Sequence, residues 1–269
     1  MQARRLPAQR GVFWLLEGLR LFRRNPPLIT ALTLIYLLVV QLMAAVLPGI
    51  GPILLPLLLP TMTLIVANGC RLVDEGRAPA KATLLNGITG NGQAMLRLGV
   101  LQLAGAVLLV LISAALNGGG DPFGPLEAVP VPQNMGEGTE ASNADAQAAM
   151  LGSLLQLLVL ATPLIVAFWF APFLVGWDRV SPVKALFFSW IASWRNLGAM
   201  GMFSLAAVVA AGVVPGFILI VLGQISGMAM SAALVAMRML LIFLVAPVLT
   251  ASIYVSYRDI FHTGVDENV

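Results

Sequence analysis

Apolar positions fall into six long runs separated by polar stretches. The runs cover 28–47, 50–70, 96–116, 151–177, 197–222 and 228–257. A helix needs about 20 apolar residues to cross a bilayer, and each run supplies them. The period-two alternation of a membrane β-barrel is missing. A continuous apolar segment in lipid satisfies its backbone internally only as a helix. The pattern therefore predicts an all-α polytopic membrane protein, one membrane domain over 1–269 with six transmembrane helices.

Three further segments have helical periodicity. In 10–24, at about 100° per residue, Val12, Leu15, Leu16, Leu19 and Phe22 share one face. Arg10, Glu17, Arg20 and Arg24 share another. This predicts an amphipathic helix lying on the membrane, with Trp14 as an anchor at the headgroup boundary. Segments 80–91 and 182–194 read the same way, the latter with Trp190 and Trp194 as anchors. Each even-numbered span carries an inner proline: Pro60, Pro172 or Pro247. Proline removes a backbone hydrogen bond, so a kink is expected at each. Arg71, Arg179 and Arg258 follow at the span exits and read as interface anchors. Pro-Ala-Lys-Ala at 79–82 echoes Pro-Val-Lys-Ala at 182–185. The chain thus reads as a threefold parallel repeat over about 11–78, 79–181 and 182–262. The competing reading is coincidence among residues common in membrane helices.

Composition narrows the class. The chain is 59% hydrophobic and 10% charged, against about 45–50% and 25% in soluble domains. A soluble domain is excluded, and so is disorder of the whole chain. Charge then orients the spans. Six arginines precede the first span: Arg4, Arg5, Arg10, Arg20, Arg23 and Arg24. Further cations flank the second and fourth connections and follow the last span. The third connection, 117–150, carries Asp121, Glu127, Glu137, Glu140 and Asp145 and no cation. The positive-inside rule places both termini in the cytoplasm. Residues 1–27 read as a basic interfacial segment and 117–150 as a disordered acidic exported loop. The basic charges flank spans, so nucleic-acid binding is not expected.

Candidate chemistry is sparse. One histidine, His262, and one cysteine, Cys70, leave no His-based metal site and no internal disulfide. Phosphate-loop, His-Glu-x-x-His and Gly-x-Ser-x-Gly patterns do not occur. Cys70 reads as a buried thiol, with acylation as the alternative. Every Asp and Glu lies outside the apolar runs, which weighs against ion-coupled transport. No enzyme, cofactor or metal is expected. Arg238 interrupts the sixth run. It could hold a lipid phosphate within the membrane, or snorkel to the outer headgroups; the sequence favours the second. Asp178-Arg179 and Arg258-Asp259 could pair between units, but plain anchoring is favoured. The expected function is a non-enzymatic, envelope-organising or lipid-contacting protein. Its partners are membrane lipids, anionic ones above all, met by Arg20, Arg23, Arg24 and Arg238. The alternative is a transporter or lipid-translocating protein with a cavity between the proline-kinked helices. A homo-oligomer fits either reading.

Several segments resemble a family of proteobacterial six-span inner-membrane proteins. They are Gln2-Ala-Arg-Arg, the stretch from Trp14 to Arg24-Asn25-Pro26, Ser181-Pro-Val-Lys-Ala, Arg195-Asn196, and above all the ending Ala251-Ser-Ile-Tyr-Val-Ser-Tyr-Arg-Asp-Ile-Phe261. More distantly, the layout is similar to the membrane domain found beside some glycerophosphodiester phosphodiesterases, whose catalytic domain has no counterpart here. The resemblance implies an inner-membrane location. It carries over no functional residue.

Overall fold

The computed structural model describes residues 3–46, 50–116, 140–223 and 227–262, which form helices and turns and no strand. The helices are α1 (Arg10–Arg24), α2 (Pro26–Val46), α3 (Gly51–Asp74), α4 (Lys81–Leu84), α5 (Gly92–Leu116), α6 (Glu140–Phe168), α7 (Ala171–Gly176), α8 (Pro182–Arg195), α9 (Leu197–Val208), α10 (Val214–Gly223), α11 (Gly227–Leu240) and α12 (Ala246–Phe261). Six stretches are long and apolar enough to cross a membrane: Pro26–Met43, Ile53–Asp74, Gly92–Leu116, Leu155–Gly176, Leu197–Val221 and Met230–Phe261. The expected loop differs in part. Residues 140–150 are the opening turns of α6, whereas 117–139 lie outside the described residues.

The buried apolar core gathers at one end of the spans, where odd spans begin and even spans finish. It holds Leu64 and Cys70 of α3, Phe173 and Leu174 of α7, Ala185 of α8, and Ala251, Val255 and Tyr257 of α12. Much of the opposite half exposes large apolar side chains, such as Leu155, Val159, Phe217 and Val235.

Helix α1 is wedged into this end against α9 and α12. It buries Gly11, Trp14, Gly18 and Leu21, spaced three, four and three residues apart along one face, and Phe22 beside them. A Cβ at Gly11 would lie 2.6 Å from the Phe203 backbone nitrogen, and one at Gly18 would lie 2.9 Å from Val248 O. Only glycine admits so close an approach. This corrects the expected packing. The leucine-rich face is divided: Phe22 is buried, Leu15 and Leu19 pack half-buried against the core and Leu16 is exposed, while the glycine–tryptophan face makes the closest approach to protein. Trp14 is 2% exposed and is therefore interior, not a headgroup anchor.

The three prolines act differently. Helix α3 runs unbroken through Pro56 and Pro60. The fourth span instead breaks at Trp169–Phe170, just before Pro172. There the Ser189 hydroxyl of α8 accepts from Phe170 N at 3.0 Å and donates to Val166 O at 3.1 Å. It is inserted where the i→i−4 bond between those two groups would be, a known cause of bending. Pro247 opens α12 just after a π-helical turn at Leu241–Val245. Pro215 follows a second such turn, at Val209–Val213, in the same register.

The segment 80–91 is also shorter in helix than its periodicity suggests. Helix α4 ends at Leu84. The Asn68 side-chain amide donates to Leu84 O and Asn86 O, and Gly87 turns at φ +79° with the Gly176 backbone 2.5 Å from where its Cβ would be. Side-chain capping and a left-handed glycine stop the helix.

Candidate functional site at the basic end

Arg10, Glu17 and Arg24 recur every seven residues along α1, so they project from one face after each pair of turns. Each meets an opposite charge brought from another span. Arg10 Nε donates to Asp259 Oδ2 at 2.6 Å and its Nη2 to Oδ1 at 3.1 Å. Arg258 Nη2 donates to Glu17 Oε2 at 2.8 Å. Arg24 Nη1 lies 3.7 Å from Asp74 Oδ1. Arg258 closes the chain, its Nη1 donating to Asp74 Oδ2 at 2.6 Å. The hydrogen bond to Asp259 raises Arg10 above its usual value, against a smaller opposing effect of burial. Trp14 Nε1 donates to the same Asp259 at 2.9 Å.

Two hollows share Asp74 and Arg258 as a common wall. The larger, about 390 Å³, is lined by Arg71, Glu75, Trp177, Asp178, Tyr254, Tyr257 and His262. The smaller, about 250 Å³, lies toward Glu17, Arg20 and Arg24. In the larger, the Tyr254 hydroxyl donates to Asp74 at 3.0 Å and the Tyr257 hydroxyl donates to Asp178. His262 Nε2 lies 3.1 Å from the Tyr257 oxygen. The Arg71 guanidinium stacks 5.3 Å from the Trp177 ring, and Trp177 Nε1 donates to Asn68 Oδ1 at 2.7 Å. Arg71 and Arg77 both donate to Glu75, at 2.8 and 2.6 Å. Slight burial pushes the Glu75 carboxyl up, but the two arginines outweigh it and hold it below the usual glutamate range.

The ionisable groups around both hollows are largely spent on one another. They form an electrostatic hub joining α1, α3, α12 and the turn that follows α7. The N-terminal segment is fastened to the same end: Arg4 N donates to Ile260 O at 3.1 Å, and Asn196, between α8 and α9, bonds Leu6 N and Arg4 O. No group of three or more His, Cys, Asp or Glu able to hold a metal occurs among the described residues.

The anticipated site residues divide into distinct groups. Arg20 and Arg23 are exposed on α1 and make no ion pair among the described residues. Trp190 and Trp194 are exposed on α8. Arg179 is exposed, with a left-handed backbone at φ 53°. Arg71 and Arg258 belong to the hub. The sequence favours plain anchoring for Arg258, with pairing to the fourth span's exit as the alternative; in the structure Arg258 instead pairs with Asp74 and Glu17. Arg238 is exposed in a shallow apolar groove between α10 and α11, with Leu219, Leu234, Val235 and Leu241 around it. Twenty residues separate it from Arg258, about 30 Å of helix, the thickness of the hydrocarbon core. The sequence reading missed Asp74, Tyr254 and Tyr257 as hub residues. The seven-residue recurrence of charge on α1 was the available signal.

Over 272 aligned residues the chain is 33% identical to a probable inner membrane protein of Burkholderia thailandensis, covering 99% of this chain and 96% of that one. The chain belongs to that protein's family. Together with the six candidate spans, this identifies a multi-pass membrane protein, in a family whose relative is named for the inner membrane. No protein-family model and no solved structure matches the chain.

Proposed function

We propose that this inner-membrane protein is a non-enzymatic, envelope-organising protein that gathers anionic lipid at its basic end, and that this end is cytoplasmic. The observation that carries the reading is the division of charge on α1. Arg10, Glu17 and Arg24 are paired within the hub, while Arg20 and Arg23 project outward and make no ion pair among the described residues. A cation next to an anionic leaflet is worth about 1 kcal/mol, so unpaired arginines beside the span ends favour anionic headgroups. Arg238 supports the same reading from the other side. It stands about one hydrocarbon thickness from the hub, on the outer surface, where a lipid phosphate can reach it. The transporter reading would need Arg238 turned toward a cavity among the kinked helices, and the groove it lines is open and apolar.

The test is native mass spectrometry of the protein extracted with its surrounding lipid from membranes of mixed phosphatidylglycerol and phosphatidylethanolamine. Wild type is expected to retain phosphatidylglycerol in excess of its share, and Arg20→Glu/Arg23→Glu to lose that excess. Equal retention by both proteins sinks the reading.

A further inference from the structure

Helix α8 has two apolar faces of different character. Pro182, Ala185, Ser189, Ala192 and Ser193 are buried against the bundle. Val183, Phe187, Trp190 and Trp194, spaced four, three and four residues apart, are 69%, 60%, 37% and 64% exposed. That spacing makes one bulky stripe along the whole helix. Exposed Lys184 and Arg195 lie along its edge. The stripe continues into exposed Leu197 at the start of α9, so it is continuous with the apolar surface of a span. Acyl chains are the occupant that fits this continuity, with the two cations set for headgroups. Helix α1 repeats the arrangement at the same end: a buried glycine–tryptophan face, exposed Phe13 and Leu16, and outward Arg20 and Arg23. Among the described residues, the opposite end holds only the ends of the spanning helices and the α6 extension.

We infer that the protein is a leaflet wedge: α1 and α8 embed in the leaflet at the basic end, widen the molecule there, and make it favour membrane curved with that leaflet on the convex side. Each helix is about 22 Å long and 10 Å wide, and it displaces lipid from one leaflet only. Shallow insertion of this kind is curvature-sensitive. The buried core at that end supplies the rigidity, because a helix that tilted away would relieve the asymmetry. The cytoplasmic assignment of the convex side rests on the proposed orientation; the preference for curvature does not.

The test uses the full chain, labelled at its N-terminus and reconstituted into giant vesicles of phosphatidylcholine, from which a narrow tube is pulled outward. Molecules with the basic end outside are expected to be severalfold denser in the tube than in the vesicle body, and molecules in the opposite orientation to be depleted. Phe187→Ser/Trp190→Ser/Trp194→Ser is expected to flatten the ratio, with an unreactive Cys70 thiol reporting that the core is intact. Equal density of wild type in tube and body overturns the inference without reference to any variant. So does efficient disulfide cross-linking of Trp190→Cys between molecules, which would put a second copy on the stripe. Phosphatidylcholine carries no net charge, so loss of phosphatidylglycerol selectivity and loss of tube sorting fail independently.

Discussion

Trp14 donates its indole N–H to Asp259 at 2.9 Å, joining residues 245 positions apart. Asp259 also takes both bonds from Arg10, so one carboxylate fastens the first helix to the last. A hydrogen bond to a charged group contributes about 1.5–3 kcal/mol. Trp14→Phe keeps an aromatic ring toward Phe203, whose centroid lies 6.3 Å from that of Trp14, but removes the donor together with part of a buried ring. It is expected to lower stability by at least that amount. The single cysteine, Cys70, is fully buried, so its reaction with a thiol dye during denaturation reads the change directly. Unchanged exposure kinetics would mean that Arg10 alone satisfies Asp259.

The glycine face of α1 makes a sharper prediction. Gly18→Ala brings a methyl group against the Ser252 nitrogen at 2.8 Å and Val248 O at 2.9 Å. These are backbone atoms of α12 and cannot move aside as a flexible side chain would. Overpacking costs about 1–3 kcal/mol, and α1 is expected to loosen and become open to protease. Gly201→Ala is the control, since nothing lies within 4 Å of its added Cβ. In a helix it should be neutral or stabilising by up to about 1 kcal/mol. Equal effects of the two substitutions would show that the close approach carries no energetic weight.

The legible parts of this fold are those fixed by local periodicity and hydropathy. Helix α1 spans the residues expected of it. Its packing face was not legible, because glycine carries no hydrophobic signal and yet permits the nearest contact. Trp14 was read as an anchor because a lipid interface and a protein interior reward the same side chain. The break before Pro172 needed knowledge of Ser189, which arrives from another helix. The hub was illegible for a similar reason: Arg258 and Asp74 are 184 positions apart, and span-exit charges look alike whether they face water or each other. Among the described residues, the three junctions ahead of the odd spans share an asparagine. Asn25, Asn91 and Asn196 each stand just before an odd span, and each carbonyl accepts the first-turn bond from Ile29, Met95 and Met200.

Acid should loosen the hub's rim. The Glu75 carboxyl is held below the usual glutamate range by Arg71 and Arg77. As pH falls, the unfolded chain therefore binds that proton before the folded one does. The stabilisation is present above the ordinary glutamate value and is lost as pH falls through the lowered folded value. Glu75→Gln is expected to be less stable than wild type at neutral pH and to converge with it in acid. Since the pair is exposed, salt should narrow the neutral-pH gap. Parallel stability curves for the two proteins would sink this account. The readout is the Cys70 thiol midpoint measured across pH.

Ser189 makes the fold depend on a single hydroxyl. It takes Phe170 N–H and gives its proton to Val166 O, standing in for a bond the helix would otherwise make itself. Ser189→Ala leaves Phe170 N–H without that acceptor in a buried site, at a cost of about 1–3 kcal/mol. The direct bond cannot simply re-form, because the Pro172 ring resists the α-helical approach of the Phe168 carbonyl. Pro172→Ala removes that resistance. The two substitutions should therefore be less damaging together than their separate effects predict, since the straightened ladder can close on itself. The thiol assay on the two single variants and the double variant measures that coupling. Simple additivity would mean that the bend is set by packing around Phe170 and Phe173, with the serine filling a gap it did not create.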